Sequence, residues 1–568
     1  MTNYQLTGGT ICAPATIPGT GAISIIRVSG KESLAIADKV IDTKGVPIAE
    51  TEGYRLRYGT VFEADGSVLD NVIVSVFRAP HSYTGENSVE ISCHASRFIV
   101  NKILEFLVNA GARIAAPGEF TRRAFVNGKM DLAQAEAVAD VIASQSAASH
   151  RVAMNQLKGG FSSELKVLRE KLLTMTSLLE LELDFSEEDV EFASRKELGQ
   201  LVDDSLTHIR RLTASFSRGN AIKNGIPVAI VGATNTGKST LLNALLGEER
   251  AIVSDIAGTT RDTIEETLNI DGILFRFIDT AGIRETDETI EKIGIDRTFK
   301  KLGEAAVVLG MTDLSRGEAA VLEDADFILS KVNEMGGVKN DGTENDGSET
   351  GGAHPAETGG APLVETDGTS LAETGGAPLA GTDGTSRSET GGASQHGHGD
   401  GQERKVVILV NKCDVAGSFY KDDNGTGYGS GNDLGENMAE ISGNKNVNHD
   451  NNIVSLIENK YDNCKVIPIS AKTGKGLSTL TKTLGEIGSE ITGSTDETLV
   501  TNVRHYEALV RAASALERVR AGLHIATLPP DLIAQDLREA LYHLGEIVGE
   551  ISTDETLGNI FRNFCIGK

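Results

Sequence analysis

Between Met130 and about Lys223, apolar side chains recur every three to four residues and no proline interrupts them. Runs such as DLAQAEAVADVIASQSAASHRVAMNQLKGG and LKVLREKLLTMTSLLELELDF carry this period, so the segment predicts helices with one buried face. The period returns from about Asn502 to the end, in YEALVRAASALERVRAGL and LIAQDLREALYHLGEIVGEI. Between these stretches, after Ile226, strand-like apolar runs alternate with helical ones, the pattern of an α/β domain. Residues 1–128 differ from both. Their β-rich runs (GAISIIRVSG, NVIVSVF), turns and one helical run, RFIVNKILEFLVNAG, predict a small α+β domain. The plan is multidomain: an N-terminal α+β domain (1–128), a discontinuous helical domain (129–223 and 496–568), and an α/β domain (224–495) inserted between its pieces.

Two stretches break the pattern. Residues from about Asn333 to Gln402 are rich in Gly, Thr, Glu and Asp and hold imperfect repeats: ETGGA begins at Glu349, Glu357, Glu373 and Glu389. Such a segment buries too little apolar surface to offset its ordering entropy, and its units lack a face on which a solenoid could stack. Gly417 to Asn452 reads the same way. Both are expected to be disordered surface insertions. The net charge of −27 argues against nonspecific binding to polyanions. A nucleic-acid partner needs a local basic surface, and RIAAPGEFTRRAF and the arginines between Arg504 and Arg520 are weak candidates. The five cysteines lie far apart without a CxxC pair, which fits reduced thiols in a cytosol. No apolar run approaches the roughly 20 residues that span a bilayer, and the N-terminus lacks a secretory pattern.

The strongest chemical signal is PVAIVGATNTGKSTLLNALLG, which contains GxxxxGK[ST] from Gly232 to Ser239 between an apolar strand and an apolar-faced helix. Backbone N–H groups of such a loop, through Asn235, Thr236, Gly237 and Thr240, point at phosphate oxygens, helped by the helix N-terminus. Lys238 neutralises the β and γ phosphates, and the Ser239 hydroxyl binds Mg²⁺. FRFIDTAG then reads as a strand ending in Asp279, which can hold Mg²⁺ through water, followed by Thr280, Ala281 and Gly282. KVVILVNKCD is a further buried strand, ending in Asn411, Lys412 and Asp414. The Asp414 carboxylate can accept from guanine N1–H and the 2-amino group; adenine has neither donor, so GTP is expected over ATP. VIPISAK places Ser470, Ala471 and Lys472 near guanine O6. SDIAGTTRD, with Ser254, Asp255, Ile256, Ala257, Gly258 and Thr259, brings Thr260 to the Mg²⁺. These elements in this order define a Ras-like P-loop GTPase domain. A glutamine often follows Asp-x-x-Gly and orients the attacking water; here the position is Ile283, which cannot hold water, so another group must.

The likeness of the chain to the MnmE (TrmE) family of tRNA-modification GTPases runs nearly end to end. It resembles that family in APATIPGTGAISIIRVSG, YTGENSVEI, APGEFTRRAFVNGKMDLAQAEAVADVI, SDIAGTTRDT, DTAGIRETDETIEKIGI and the terminal FCIGK; only the two insertions depart from it. The resemblance implies a potassium-activated GTPase whose G domains meet in a homodimer. It places K⁺ against the Asn235 side chain and backbone oxygens of Ser254, Ile256 and Thr259. It makes Glu291 the water-positioning group, a residue that position alone would leave as a solvated helix charge. It further implies a formyltetrahydrofolate-type one-carbon donor held by Arg27, Glu90, Lys129 and Lys568, and an MnmG-like FAD protein as partner in a heterotetramer. The implied reaction adds an aminomethyl-type group to C5 of the wobble uridine of certain tRNAs.

The terminal CIGK invites a prenylation reading. Gly567 and Lys568 do not suit a prenylation box, and no polybasic patch precedes it, so no membrane anchor is expected. The resemblance instead makes Cys565 part of the modification site. An alternative function, a ribosome-assembly GTPase switch without modification chemistry, shares the G motifs but not the N-terminal domain or FCIGK.

Overall fold

The computed structural model describes residues 8–184, 195–248, 266–278, 305–334, 404–414, 452–461, 464–493, 497–525, 529–551, 553–562, 564 and 567.

The N-terminal region forms β1 (Ile11–Pro14), β2 (Ile23–Ser29), α1 (Ser33–Val40), β3 (Ile41–Asp42), β4 (Arg55–Phe62), β5 (Val68–Phe77), β6 (Ser88–His94), α2 (Arg97–Asn109), β7 (Arg113–Ile114) and α3 (Glu119–Val126). The seven strands make one sheet in the order β3-β4-β5-β6-β2-β1-β7, antiparallel except for the β1–β7 pair. Along β5, Val72, Val74 and Val76 point into a core shared with Leu34 and Ile36 of α1 and Ile103 and Leu107 of α2. The intervening residue Ile73 is 46% exposed and pairs across the sheet with Tyr58, which is 67% exposed. This is the period-2 alternation of a sheet covered on one face. The sequence predicts one helix here; α1 and α3 are additional. The apolar period of α3 is broken because Glu119, Thr121, Arg122 and Arg123 share its buried positions with Phe120 and Ala124.

Next come α4 (Leu132–Ala143), α5 (Ala147–Leu157), α6 (Gly160–Asp184), α7 (Arg195–Ala214) and α8 (Phe216–Asn224). Asp131 caps α4 through a reciprocal bond with Gln134, which fixes where the helix begins. After an α/β region the chain returns as α13 (Val503–Leu523), α14 (Pro530–Val548) and α15 (Asp554–Arg562). On α6, Phe161, Leu165, Leu168, Leu172, Met175 and Leu179 are buried at alternating spacings of four and three, the seam of a helical bundle. Their partners are Leu198, Val202, Leu206 and Ile209 of α7, Leu509 and Leu516 of α13, and Leu537 and Leu544 of α14. Neither sequence-distant piece has this core alone.

The α/β region consists of β8 (Ile226–Gly232), α9 (Lys238–Glu248), β9 (Glu266–Ile270), β10 (Ile273–Ile278), β11 (Val307–Asp313), α10 (Glu318–Glu334), β12 (Lys405–Asn411), α11 (Asn452–Lys460), β13 (Cys464–Pro468) and α12 (Leu477–Thr492). Its sheet runs β13-β12-β11-β8-β10-β9, parallel except for β9. Every residue of β11 is buried, as expected where helices cover both faces. Asn333 and Glu334 lie in the last turn of α10, beside the fully buried Val332. That turn extends two residues into the stretch read from composition as disordered, and the rest of both biased stretches, apart from Asn452 at the start of α11, lies outside the described residues. Among the described residues no helix is long and apolar enough to cross a membrane.

Candidate nucleotide-binding site

β8 passes the chain to α9 at the carboxyl edge of the parallel strands, where α/β sheets bind ligands. A Cβ at Gly232 would collide with the Met311 carbonyl oxygen of β11, so glycine lets the loop begin flat against its neighbour. Gly237 has φ +98°, and a Cβ there would lie 2.5 Å from Asn411 Nδ2. Inside the loop, Thr236 Oγ1 donates to Ala233 O at 2.8 Å. Lys238 Nζ donates to Gly232 O and Ala233 O, both at 2.9 Å. Burial pushes the Lys238 pKa down. Carbonyl dipoles alone thus hold a partly buried ammonium over the loop, and a phosphate would offer it full opposite charge. Ser239 and Thr240 sit in the first turn of α9, beside the helix amides that favour anions.

Asn411 fastens three loops together. Its Nδ2 donates to Thr236 O at 2.6 Å, and its Oδ1 accepts from Ala471 N at 3.0 Å. The loop after β8, the end of β12 and the segment after β13 are therefore one unit. Lys412 takes a left-handed conformation (φ +64°) and donates from Nζ to Asp313 Oδ2 at 2.6 Å. Burial raises the Asp313 pKa, but the bonds from Lys412 and Ser315 outweigh it and hold the carboxyl below its usual range. Asp414 and Lys472 are exposed at the mouth, while Ser470 and Ala471 are buried beneath them. Ser254, Asp255, Ile256, Ala257, Gly258, Thr259, Thr260, Asp279, Thr280, Ala281, Gly282 and Glu291 lie outside the described residues.

The β9–β10 hairpin connects the two motif-bearing segments that flank it, and its turn rests on the helical region. Asn269 Nδ2 donates to Gln145 O at 3.0 Å, and Ala148 N donates to Gly272 O at 3.3 Å.

A second cluster forms where the C-terminal tail meets the N-terminal sheet. Arg27 Nε donates to Glu90 Oε1 at 2.9 Å across the β2–β6 pair, and its Nη1 donates to Gly567 O at 3.3 Å. The guanidinium carbon lies 5.0 Å from the Tyr83 ring centroid and 5.7 Å from that of Phe120. Lys129 bonds Pro80 O at 3.1 Å, on the loop that carries Tyr83. Cys565 and Lys568 lie outside the described residues, but Gly567 brings the tail to Arg27. α15 holds that tail against α3: a Cβ at Gly118 would lie 2.7 Å from Phe561 O.

Two family profiles match the chain: the GTP-binding protein TrmE N-terminus over residues 10–129, and the MnmE helical domain over residues 132–565. The tRNA modification GTPase MnmE of Parabacteroides distasonis is 44% identical over 562 residues, covering 98% of this chain and 100% of that protein. Its counterpart in Bacteroides thetaiotaomicron is 42% identical over 562 residues, covering 98% and 99%. The chain belongs to the MnmE family. It is a GTPase, in keeping with the loop geometry above.

Sequence reasoning within this MnmE-family chain missed several participants. Asp313, the partner of Lys412, ends the apolar run VVLGMTD as Asp279 follows FRFI, and that parallel could have found it. Tyr83 and Phe120 carry no spacing signal toward Arg27. In the weakly basic stretches named as candidate RNA contacts, most arginines pair with carboxylates. Arg113 and Arg123 bind Glu119, and Arg123 also binds Glu86. Arg504 binds Glu136, Arg511 binds Glu546, Arg518 binds Asp536 and Glu539, and Arg520 binds Asp203. Each of these cations already faces a carboxylate.

Proposed function

We propose that this chain hydrolyses GTP with Mg²⁺ and K⁺ and, with an MnmG-like FAD protein, modifies C5 of the wobble uridine of certain tRNAs. The observation that carries this reading is full-length likeness to MnmE proteins, together with a phosphate loop, a β12 end and a β13 loop joined through Asn411. The donor set suits the ions. Ser239 offers a hydroxyl at the α9 N-terminus, and Asn235, exposed with φ +62°, offers an amide oxygen at the loop's outer edge. Mg²⁺ and K⁺ there would supply charge to offset that developing on the phosphates. In this reading Lys238 clamps the phosphates, Asp414 selects guanine, and Glu291 orients the attacking water where Ile283 cannot.

The Arg27 cluster suits the one-carbon donor. A guanidinium, a carboxylate and two aromatic rings can bind a polar ring system by hydrogen bonding and stacking. In this reading Cys565 and Lys568 complete that pocket. A homodimer would cover the open face of the N-terminal sheet.

Phosphate release in K⁺ against Na⁺, with Glu291→Ala alongside, tests the hydrolytic part. Faster turnover in K⁺ and a crippled variant are expected; equal rates and an unharmed variant would remove it. Mass analysis of wobble uridines in a strain lacking this chain tests the modification part. Normal uridines with defective ribosomal subunits would favour the assembly-switch alternative.

A further inference from the structure

The helix α5 is hydrogen-bonded at both ends to other parts of the molecule. At its start, the first-turn amide Ala148 N donates to Gly272 O in the β9–β10 turn at 3.3 Å. Beside it, Asn269 Nδ2 donates to Gln145 O at 3.0 Å, while Asn269 Oδ1 accepts from Gly272 N at 3.0 Å and closes the turn. At its end, Leu157 O accepts from Gln134 Nε2 of α4 at 3.0 Å. The Gln134 side chain also serves the cap of α4, where its Oε1 accepts from Asp131 N at 3.0 Å. A helix leaves amides at its start and carbonyls at its finish without partners inside the helix. Here two segments far apart in sequence supply a partner for one of each.

These segments belong to different parts of the molecule. β10 pairs with β8 as far as Ile278 and Ala229, so the hairpin is part of the sheet that bears the phosphate loop. In sequence, β10 ends next to Asp279 and β9 begins soon after Thr260, the two residues expected at Mg²⁺. At the other end, Asp131 follows closely on Lys129, whose Nζ bonds Pro80 O in the N-terminal region. α5 (Ala147–Leu157) runs about 16 Å between the two, at 1.5 Å per residue. One turn on from Ala148, Val152 packs with Ile222 of α8 and Leu499, near where the chain enters and leaves the α/β region.

We propose that α5 is a strut coupling the nucleotide site to the start of α4, with Asn269 and Gln134 as the positioning residues that seat its two ends. A shift of the hairpin between nucleotide states moves α5, and with it the cap of α4 beside Lys129. The coupling rests on GTP binding alone; the one-carbon reading of the Lys129 region can fail without touching it.

Hydrogen exchange of the full chain tests the strut, read by mass spectrometry in GDP and in the non-hydrolysable analogue GMPPNP, each with Mg²⁺ and K⁺. Two conservative variants cut the strut while leaving the local caps in place. Asn269→Asp keeps the acceptor for Gly272 N and loses the donor to Gln145 O. Gln134→Glu keeps the acceptor for Asp131 N, as a capping box allows, and loses the donor to Leu157 O. In the parent, exchange over residues 145–152 and 131–136 should differ between the two nucleotides by about fivefold or more, the lower end of coupling between sites. Asn269→Asp should abolish the difference at both segments, and Gln134→Glu at 131–136 alone. GDP affinity should stay parental in both variants. Static packing predicts another pattern, in which each variant speeds exchange equally in both nucleotides. That pattern, a parent without nucleotide dependence, or a difference at 131–136 that survives both variants overturns the strut. A loss of GDP binding in Asn269→Asp also overturns it, because the residue would then belong to the integrity of the nucleotide site itself.

Discussion

The two sheets of this protein follow opposite plans. In the six-stranded sheet, β11 is buried at every residue and β8 nearly so, with helices on both faces. In the seven-stranded sheet, burial alternates along β5, and Leu56, Tyr58 and Ile73 remain exposed. A sheet covered on both faces can present chemistry only where its strands end, and the nucleotide loops are found there. A sheet covered on one face keeps a broad surface free, and its cluster around Arg27 is completed by a tail from the far end of the chain.

The largest expected effect separates the two sites. Lys238→Ala should lower GTP turnover by about a hundred- to a thousandfold, the scale of losing one charge-stabilising donor. Arg27→Ala, at the other sheet, should leave turnover unchanged while abolishing binding of a formyltetrahydrofolate in calorimetry. If Arg27→Ala slowed hydrolysis as Lys238→Ala does, the two sheets would not be functionally separate.

Stability should divide along the same line. Phe275→Ala opens a cavity in the fully covered core and should cost about 3–5 kcal/mol in urea unfolding. Leu56→Ala on the open face should change stability by no more than about 0.5 kcal/mol in the monomer. A loss comparable to that of Phe275→Ala would mean that a second copy covers this face in solution.

Gly237→Ala forces a side chain into φ +98° and against Asn411. It should destabilise by about 1–3 kcal/mol and weaken nucleotide binding. Gly128→Ala, at φ +68° in open space beside the other sheet, should show the backbone strain without the loss of binding.

The smallest effect concerns the helices between the sheets. Glu136 accepts from Arg504 Nε at 3.0 Å and from His505 Nε2 at 2.6 Å. His505 is fully buried and its Nδ1 has no partner, so the neutral Nε2–H form fits the site. Burial lowers the His505 pKa from its ordinary 6.5, despite the opposing charge of Glu136. Below that value the unfolded chain binds a proton that the folded one does not. Stability should therefore fall on acidification, by at most about 1.4 kcal/mol per pH unit. For Glu136, burial alone would raise the pKa, but the hydrogen bond from His505 and the charge and hydrogen bonds of Arg504 outweigh it and bring it to about 2 from an ordinary 4.5. Its depressed value adds stability above pH 4.5 that is lost as the pH falls toward 2. Thermal midpoints of His505→Gln against the parent should converge between pH 6.5 and 5; parallel curves would remove His505 from the account.

The parts of the fold that could be read from sequence were those whose signal is local. The apolar strands leading to Gly232 and Asn411 and the seam of α6 carry their period in consecutive residues. α3 escaped notice because EFTRRAFV buries Glu119, Arg122 and Arg123 beside Phe120 and Ala124, which blurs its apolar period, and Arg113 and Glu86, which pair with those ions, lie on other segments. In the nucleotide site the residue types were legible. The role of Asn411 in sewing three loops together was not, because its bonds to Thr236 and Ala471 cross 175 and 60 positions. The meeting of Arg27 with Gly567 spans 540 positions and leaves no trace in spacing.

The divided bundle also sets an order of assembly on the ribosome. α6 and α7 emerge with Leu168, Leu172, Met175 and Val202 uncovered, and the helices that shield them are translated last. At about 5–20 residues per second, the roughly 280 residues from α8 to α13 delay that closure by about 15–55 s. During that interval the nascent chain carries an oily stripe open to chaperones, while the parallel sheet encoded in between can already condense.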